Sequence, residues 1–242
     1  MKRLTLPIRV ATGFSLVEMA IVLAIVALLL GGLLPSISSQ IEQQRRSETR
    51  KQLDEIQQAL IGYAIIYGRL PCPASSTSNG AEDPSSGSGV CTHPYDGFVP
   101  AATLGLTSVD SQGFSIDAWN NRIHYAVTAW SSNTFTVPNG ISTKGISNLS
   151  PDLLVCASST FAGFSGSSCG GSSNSLTSSP GVPVVIISTG KNNGMGPDET
   201  ANLDNNKTYV SHDSVQNGFD DLVIWLSPNV LINRMVAAGK LP

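Results

Sequence analysis

From Met19 to Ile41 the chain carries no charged residue, a run of 23 positions. As a helix rising about 1.5 Å per residue, such a run is roughly 34 Å long, enough to cross a bilayer core of about 30 Å. Glu18 stands at its mouth, and Lys2, Arg3 and Arg9 precede it with no acidic residue among them. A carboxylate near a membrane centre costs about 3 kcal/mol, so Glu18 needs a partner. An ordinary secretory signal has a shorter apolar core, about 7–15 residues, followed by a small-x-small cleavage site. Leu33-Leu34-Pro35-Ser36-Ile37-Ser38 is a poor site of that kind. A plain membrane anchor leaves Glu18 without a role.

The junction Gly13-Phe14-Ser15-Leu16-Val17-Glu18, behind a basic leader and before the apolar run, resembles the N-terminus of type IV pilins and type II secretion pseudopilins. Pro35, 21 residues past Phe14, matches that family's helix-kinking proline. The resemblance covers about fifty residues. It implies that a prepilin peptidase cuts between Gly13 and Phe14, that the new Phe14 amine is methylated, and that Glu18 serves assembly. It further implies a single-pass protein of the bacterial inner membrane with a periplasmic head, extracted into a filament. The implied partners are other pilin or pseudopilin subunits, the prepilin peptidase, an inner-membrane assembly platform and membrane lipid.

The chain then divides into a leader at 1–13, a transmembrane and assembly helix at 14–41, an amphipathic helix at 42–68 and a head at 69–242. Gly31-Gly32 and Pro35 predict a bend near 31–36. Glu42 to Glu55 is dense in charge of both signs. This reads as a solvated helix face more readily than as a lipid-binding patch of Arg45, Arg46, Arg50 and Lys51. Leu53, Ile56, Leu60, Ala64 and Tyr67 recur at spacings of three and four and form one apolar face. Gly68 and the Leu70-Pro71 step end the helix. The expected fold is α+β: a long N-terminal helix, membrane-spanning in its first half and amphipathic in its second, packed on a β-rich, loop-rich, pilin-like head.

Charged residues make up only 13% of the chain and the net charge is −3. With no basic stripe carrying interleaved aromatics, nucleic acid is not an expected partner. Four cysteines follow the apolar run. In an oxidising compartment an even number reads as disulfides. Cys72 and Cys91 bracket one Ser/Gly/Pro-rich loop, and Cys156 and Cys169 bracket another, so neighbours are paired here. Two other pairings are open to four cysteines. A zinc site from these cysteines and His93 matches no known ligand spacing. Short β-prone runs occur at Ile123–Ala129, Thr134–Val137, Leu153–Cys156, Val182–Ile187 and Leu222–Leu226. Val184 to Ile187 is apolar on both faces and predicts a central strand. Ser227-Pro228 opens a helix that Gly239 stops.

Two further stretches are similar to the major pseudopilin. Asp117-Ala118-Trp119-Asn120-Asn121-Arg122-Ile123-His124-Tyr125 is similar to its turn-and-strand, and Ile187-Ser188-Thr189-Gly190-Lys191-Asn192-Asn193-Gly194 to the start of its calcium loop, with Asn replacing Asp. The segment from Ser188 to Asp221 contains Asp198, Glu199, Asp204, Asp213, Asp220 and Asp221. Calcium takes six to eight oxygens, and Asp198, Asp204 and Asp220 are the candidate carboxylate ligands. The competing reading is that Asp, Asn and Gly simply favour turns. No enzyme signature is present: Ser211-His212-Asp213 are adjacent in the chain and lack the convergence of a triad, and Thr189-Gly190-Lys191 lacks the rest of a phosphate loop. The sequence therefore predicts a non-enzymatic subunit, minor rather than major, of a type IV pilus or type II secretion pseudopilus. The rival reading is a monomeric, membrane-anchored periplasmic domain with a binding or enzymatic role.

Overall fold

The computed structural model describes residues 13–213 and 218–241, without the side chains of residues 30–37. The chain divides into two compact units, residues 1–44 and 45–242. The first secondary-structure element is helix α1, Leu16–Tyr67.

In the first unit every described side chain from Gly13 to Leu29 is exposed. Among the described residues no helix is long and apolar enough to cross a membrane. This corrects the expected membrane-spanning first half. Residues 1–12 of the leader at 1–13 and the side chains at 31–36, on which the expected bend rests, lie outside the described residues.

The second unit is built in layers around one strand. A three-stranded antiparallel sheet has the order β1 (His124–Val127), β5 (Val184–Ser188), β7 (Leu222–Leu226). Its register sets Tyr125 opposite Ile186 and Ile186 opposite Ile224. β5 is buried along its whole length, as its two-faced apolar sequence requires. Val184 and Ile186 face Leu53, Ile56, Leu60 and Ala64 of α1, and the C-terminal helix α6 (Pro228–Ala237) adds Leu231 and Met235 to the same core. Val185 and Ile187 face the other way, onto Leu153, Val155 and Tyr209. Those residues belong to, or adjoin, a parallel pair of β2 (Leu154–Cys156) and β6 (Thr208–Val210). A small hairpin, β3 (Phe164–Ser165) with β4 (Ser168–Cys169), lies in the second cysteine loop. Short turns of helix α2 (Ala101–Leu104), α3 (Trp130–Asn133), α4 (Gly140–Lys144) and α5 (Pro197–Thr200) connect these pieces.

The amphipathic face differs from the sequence pattern at its end. Tyr67 is exposed, while Ile61 and Tyr63 are buried. The helix stops there because Gly68 takes a left-handed conformation, φ +69°, and donates to the Ala64 carbonyl. Thr134–Val137 is a turn, not a strand. Positive φ values at Ser131, Ser132 and Asn133 bend the chain just before it, and Phe135 plugs the core from that turn. The head is also less β-rich than expected, since no strand among the described residues exceeds five residues.

Covalent and polar clamps hold the loops. Cys72 is bonded to Cys91 and Cys156 to Cys169. Closing loops of this size contributes about 3 kcal/mol each in the chain-entropy account. The first loop is also pinned by a buried ion pair: Glu82 accepts from Arg69 Nη1 at 2.8 Å and Nη2 at 2.7 Å, from the Cys72 N–H at 3.2 Å and from the Tyr63 hydroxyl at 3.3 Å. Burial, and then the charge of Glu82, push the Tyr63 hydroxyl up to about 12.

Candidate functional site

Two places carry chemistry that the fold alone does not require. The first is the start of α1. The Ser15 Oγ accepts the Glu18 N–H at 3.2 Å, capping the helix. Ser15-x-x-Glu18 has the spacing of a capping box, a signal the sequence reading passed over, and a carboxylate in the first turn is favoured by the helix dipole. Glu18 thus has a local role as well as the assembly role that the resemblance implies. Around it Phe14 is 81% and Leu16 87% exposed, and Val17, Ile21, Leu23, Ile25, Leu28 and Leu29 are each more than half exposed. An exposed apolar surface of this extent marks an interaction site.

The second place is a carboxylate cluster. Glu199, Asp220 and Asp221 each offer an oxygen within 4.8 Å of the others. Glu199 sits in α5, where its Oε2 accepts the Gly196 N–H at 2.7 Å and its Oε1 accepts the Asp220 N–H at 2.7 Å. The loop after β5 closes over Asp220, whose Oδ2 accepts the N–H groups of Lys191 at 3.0 Å and Asn192 at 3.1 Å. Gly190 makes that approach possible: its φ is +60°, and a Cβ there would lie 2.4 Å from Asp220 Oδ1. Asp221 Oδ2 accepts from Asn202 Nδ2 at 2.8 Å. The remaining oxygens, Oδ1 of Asp220 and Oδ1 of Asp221, are buried with no hydrogen-bond partner. Burial, reinforced by the charges of Glu199 and Asp220, pushes the Asp221 carboxyl up to about 7. Burial also raises Asp220, against the Asn192 and Lys191 N–H groups that hold it.

The two stretches that resemble the major pseudopilin meet at this loop. Asp117 Oδ1 accepts the N–H groups of Trp119 and Asn121, both at 2.9 Å, which folds the turn. Its Oδ2 accepts the Ser188 hydroxyl at 2.6 Å, and Asn121 Nδ2 donates to the Gly190 carbonyl at 2.5 Å.

Of the three expected calcium ligands, only Asp220 belongs to the cluster. Asp198 turns the other way. It accepts from the Ser159 N–H and hydroxyl, both at 2.6 Å, and pairs with His212 Nε2 at 3.1 Å. Burial raises its carboxyl, but these contacts bring it below the ordinary value. Asp204 is exposed. Glu199 and Asp221 complete the set instead. Glu199 follows Gly196 at capping-box spacing, and Asp221 directly precedes β7, so both are fixed by adjacent elements. Two buried oxygens without donors, beside a third carboxylate, fit a hard divalent cation such as calcium, which takes oxygen ligands. A divalent cation bound there would offset most of the cluster's charge and tie α5 to the start of β7.

The remaining motifs are accounted for structurally. His212 stacks on Phe219 at 4.0 Å and faces Asp198, an arrangement with Asp between the serines and the histidine and hence not a triad. His93 is exposed and all four cysteines are in disulfides, so no thiolate is free for zinc. The Lys191 N–H is already taken by the Asp220 carboxylate, so it is not open to a phosphate. No family model, no curated protein and no solved structure matches this chain.

Proposed function

We propose that this chain is a pilin-like filament subunit, shortened by a prepilin peptidase between Gly13 and Phe14 and assembled through the helix that begins there. The observation that carries this reading is the exposure of every described side chain from Phe14 to Leu29, a helix apolar all round once past Glu18. A helix of that kind is at rest only when neighbours surround it. Other copies of the same helix are the neighbours the resemblance supplies, within a type IV pilus or a type II secretion pseudopilus. Two disulfides suit a head that works in an oxidising compartment. The carboxylate cluster fits a supporting role, with calcium held by Glu199, Asp220 and Asp221 stabilising a loop poor in apolar residues.

In a filament, Glu18 meets the Phe14 amine of the adjacent subunit and each neutralises the other, whereas an unpaired buried charge costs several kcal/mol. The test is mass analysis of the protein purified from its own host, together with Glu18→Val. The expected N-terminus is methylated Phe14, and the variant should be cut normally yet yield few sheared multimers. An intact Met1, a cut near residue 38, or full multimer yield from Glu18→Val would overturn the proposal.

A further inference from the structure

A cleft of about 560 Å³ opens beside the second disulfide and shares no residue with the carboxylate cluster. Its size falls within the range of about 300–1,000 Å³ that small-molecule sites occupy. Its lining includes Ser168, Ser172, Ser175, Thr177, Ser178 and Ser179, and no ionisable side chain. A charged ligand would therefore find no ion-pair partner in these walls. Three of the hydroxyls are tied internally. Thr177 Oγ1 accepts the Val155 N–H at 3.2 Å, Ser175 Oγ donates to the Thr177 carbonyl at 2.8 Å, and Ser168 Oγ accepts the Gly170 N–H at 3.1 Å. Ser172, Ser178 and Ser179 are exposed, and their hydroxyls are left to bond something else.

The same cleft has an apolar side. Leu176 lines it while 46% exposed, together with Leu154 and Pro180. These walls are built in advance. Cys169 is tied to β2 by its bond to Cys156, and the chain from Ser175 to Val182 is laced to β2 through the Leu176 N–H to the Val155 carbonyl and to the residue before β2 through the Val182 N–H to the Leu153 carbonyl, both at 2.8 Å. A preformed site spares a ligand the cost of ordering it.

We propose that this cleft binds a neutral carbohydrate, one or two sugar rings in size. A sugar ring carries an apolar C–H face for Leu176 and Pro180, and a rim of hydroxyls for Ser172, Ser178 and Ser179. It brings no charge into walls that have none to meet it. Saturation-transfer NMR tests this on the full chain, kept in a polyoxyethylene ether detergent because glucoside detergents would compete. The probes are glucose, N-acetylglucosamine, maltose and diacetylchitobiose, with glucuronate as the charged comparison.

At least one neutral probe is expected to bind with Kd of roughly 1 mM or tighter. Glucuronate should bind at least tenfold more weakly. Leu176→Asp and, separately, Ser179→Asp change exposed side chains, so the fold survives at least one of them, as an unchanged unfolding midpoint will show; each should weaken binding at least tenfold. No transfer from any of the four neutral probes, binding unaltered in a folded variant, or preference for glucuronate overturns the assignment.

Discussion

Replacing Glu82 by Gln leaves the Arg69 guanidinium where it is, with a side chain only 8% exposed, and removes the charge it faces. Breaking one side of a buried pair costs about 3–5 kcal/mol. Gln keeps one acceptor oxygen for an Arg69 nitrogen, so the lower end, about 3 kcal/mol, is the expected loss. In a domain of this size 1 kcal/mol moves the unfolding midpoint by about 2–4 °C, so the variant should melt roughly 6–12 °C lower. The double variant Arg69→Met/Glu82→Leu removes both charges together with their desolvation cost. Such replacements are often neutral or stabilising, by about 1–4 kcal/mol, so most of the loss should return.

The pH dependence has a definite sign. Burial alone would raise the Glu82 carboxyl, but the Arg69 hydrogen bonds, the Cys72 N–H and Tyr63 hold it below the ordinary value. A carboxylate lowered in the folded state contributes stability above its unfolded pKa and loses it as the pH falls through the folded pKa. Wild type should therefore lose stability on acidification below the usual carboxylate range, and Glu82→Gln should lack that share of the loss. Thermal unfolding of the full chain in detergent, followed by near-ultraviolet circular dichroism, measures each quantity. Glu82→Gln within 1 kcal/mol of wild type, or a double variant less stable than Glu82→Gln, would refute the account.

Leu60→Ala empties a fully buried position between α1 and the sheet and should cost about 2–5 kcal/mol by the same unfolding measurement. Ser15→Ala removes the cap on Glu18 and should weaken the first turn by about 1 kcal/mol, read as faster amide exchange at Glu18. Calcium should raise the unfolding midpoint of wild type by mass action and leave Asp221→Asn unmoved, while in chelator the variant should melt above wild type because a buried charge is gone. Wild type in chelator should also gain stability as the pH falls from about 7, since a carboxyl raised in the folded state favours that state in this window.

The second half of α1, the doubly buried β5 and the C-terminal helix were legible in the sequence because each has a local signature: spacing of three and four, an unbroken apolar run, and Ser-Pro with a later Gly. Thr134–Val137 misled because its β-branched residues carry strand propensity, yet the left-handed residues before it commit the chain to a turn. β6 escaped notice because Thr208–Val210 is three residues long and its partner, β2, lies about fifty positions away. The carboxylate cluster was half legible. Its composition stood out, but which acidic residues converge depends on where α5 and β7 end. Asp198 and Glu199 are neighbours in one helical turn and point to different clusters.

β5 has a consequence for the order in which the head is made. Its two partners flank it from opposite directions in the chain, His124 pairing with Ile187 and Leu222 with Ser188. Contacts so distant in sequence form slowly, because a long loop must close before each is rewarded. A chain that has emerged as far as Ser188 can dock β5 on β1, but it still presents an apolar strand edge until Leu222–Leu226 arrives. Closure of the core is thus deferred to the final stretch of synthesis. A chain cut short before Leu222 keeps an open edge of the kind that recruits other strands, and it is conspicuous to proteases and chaperones.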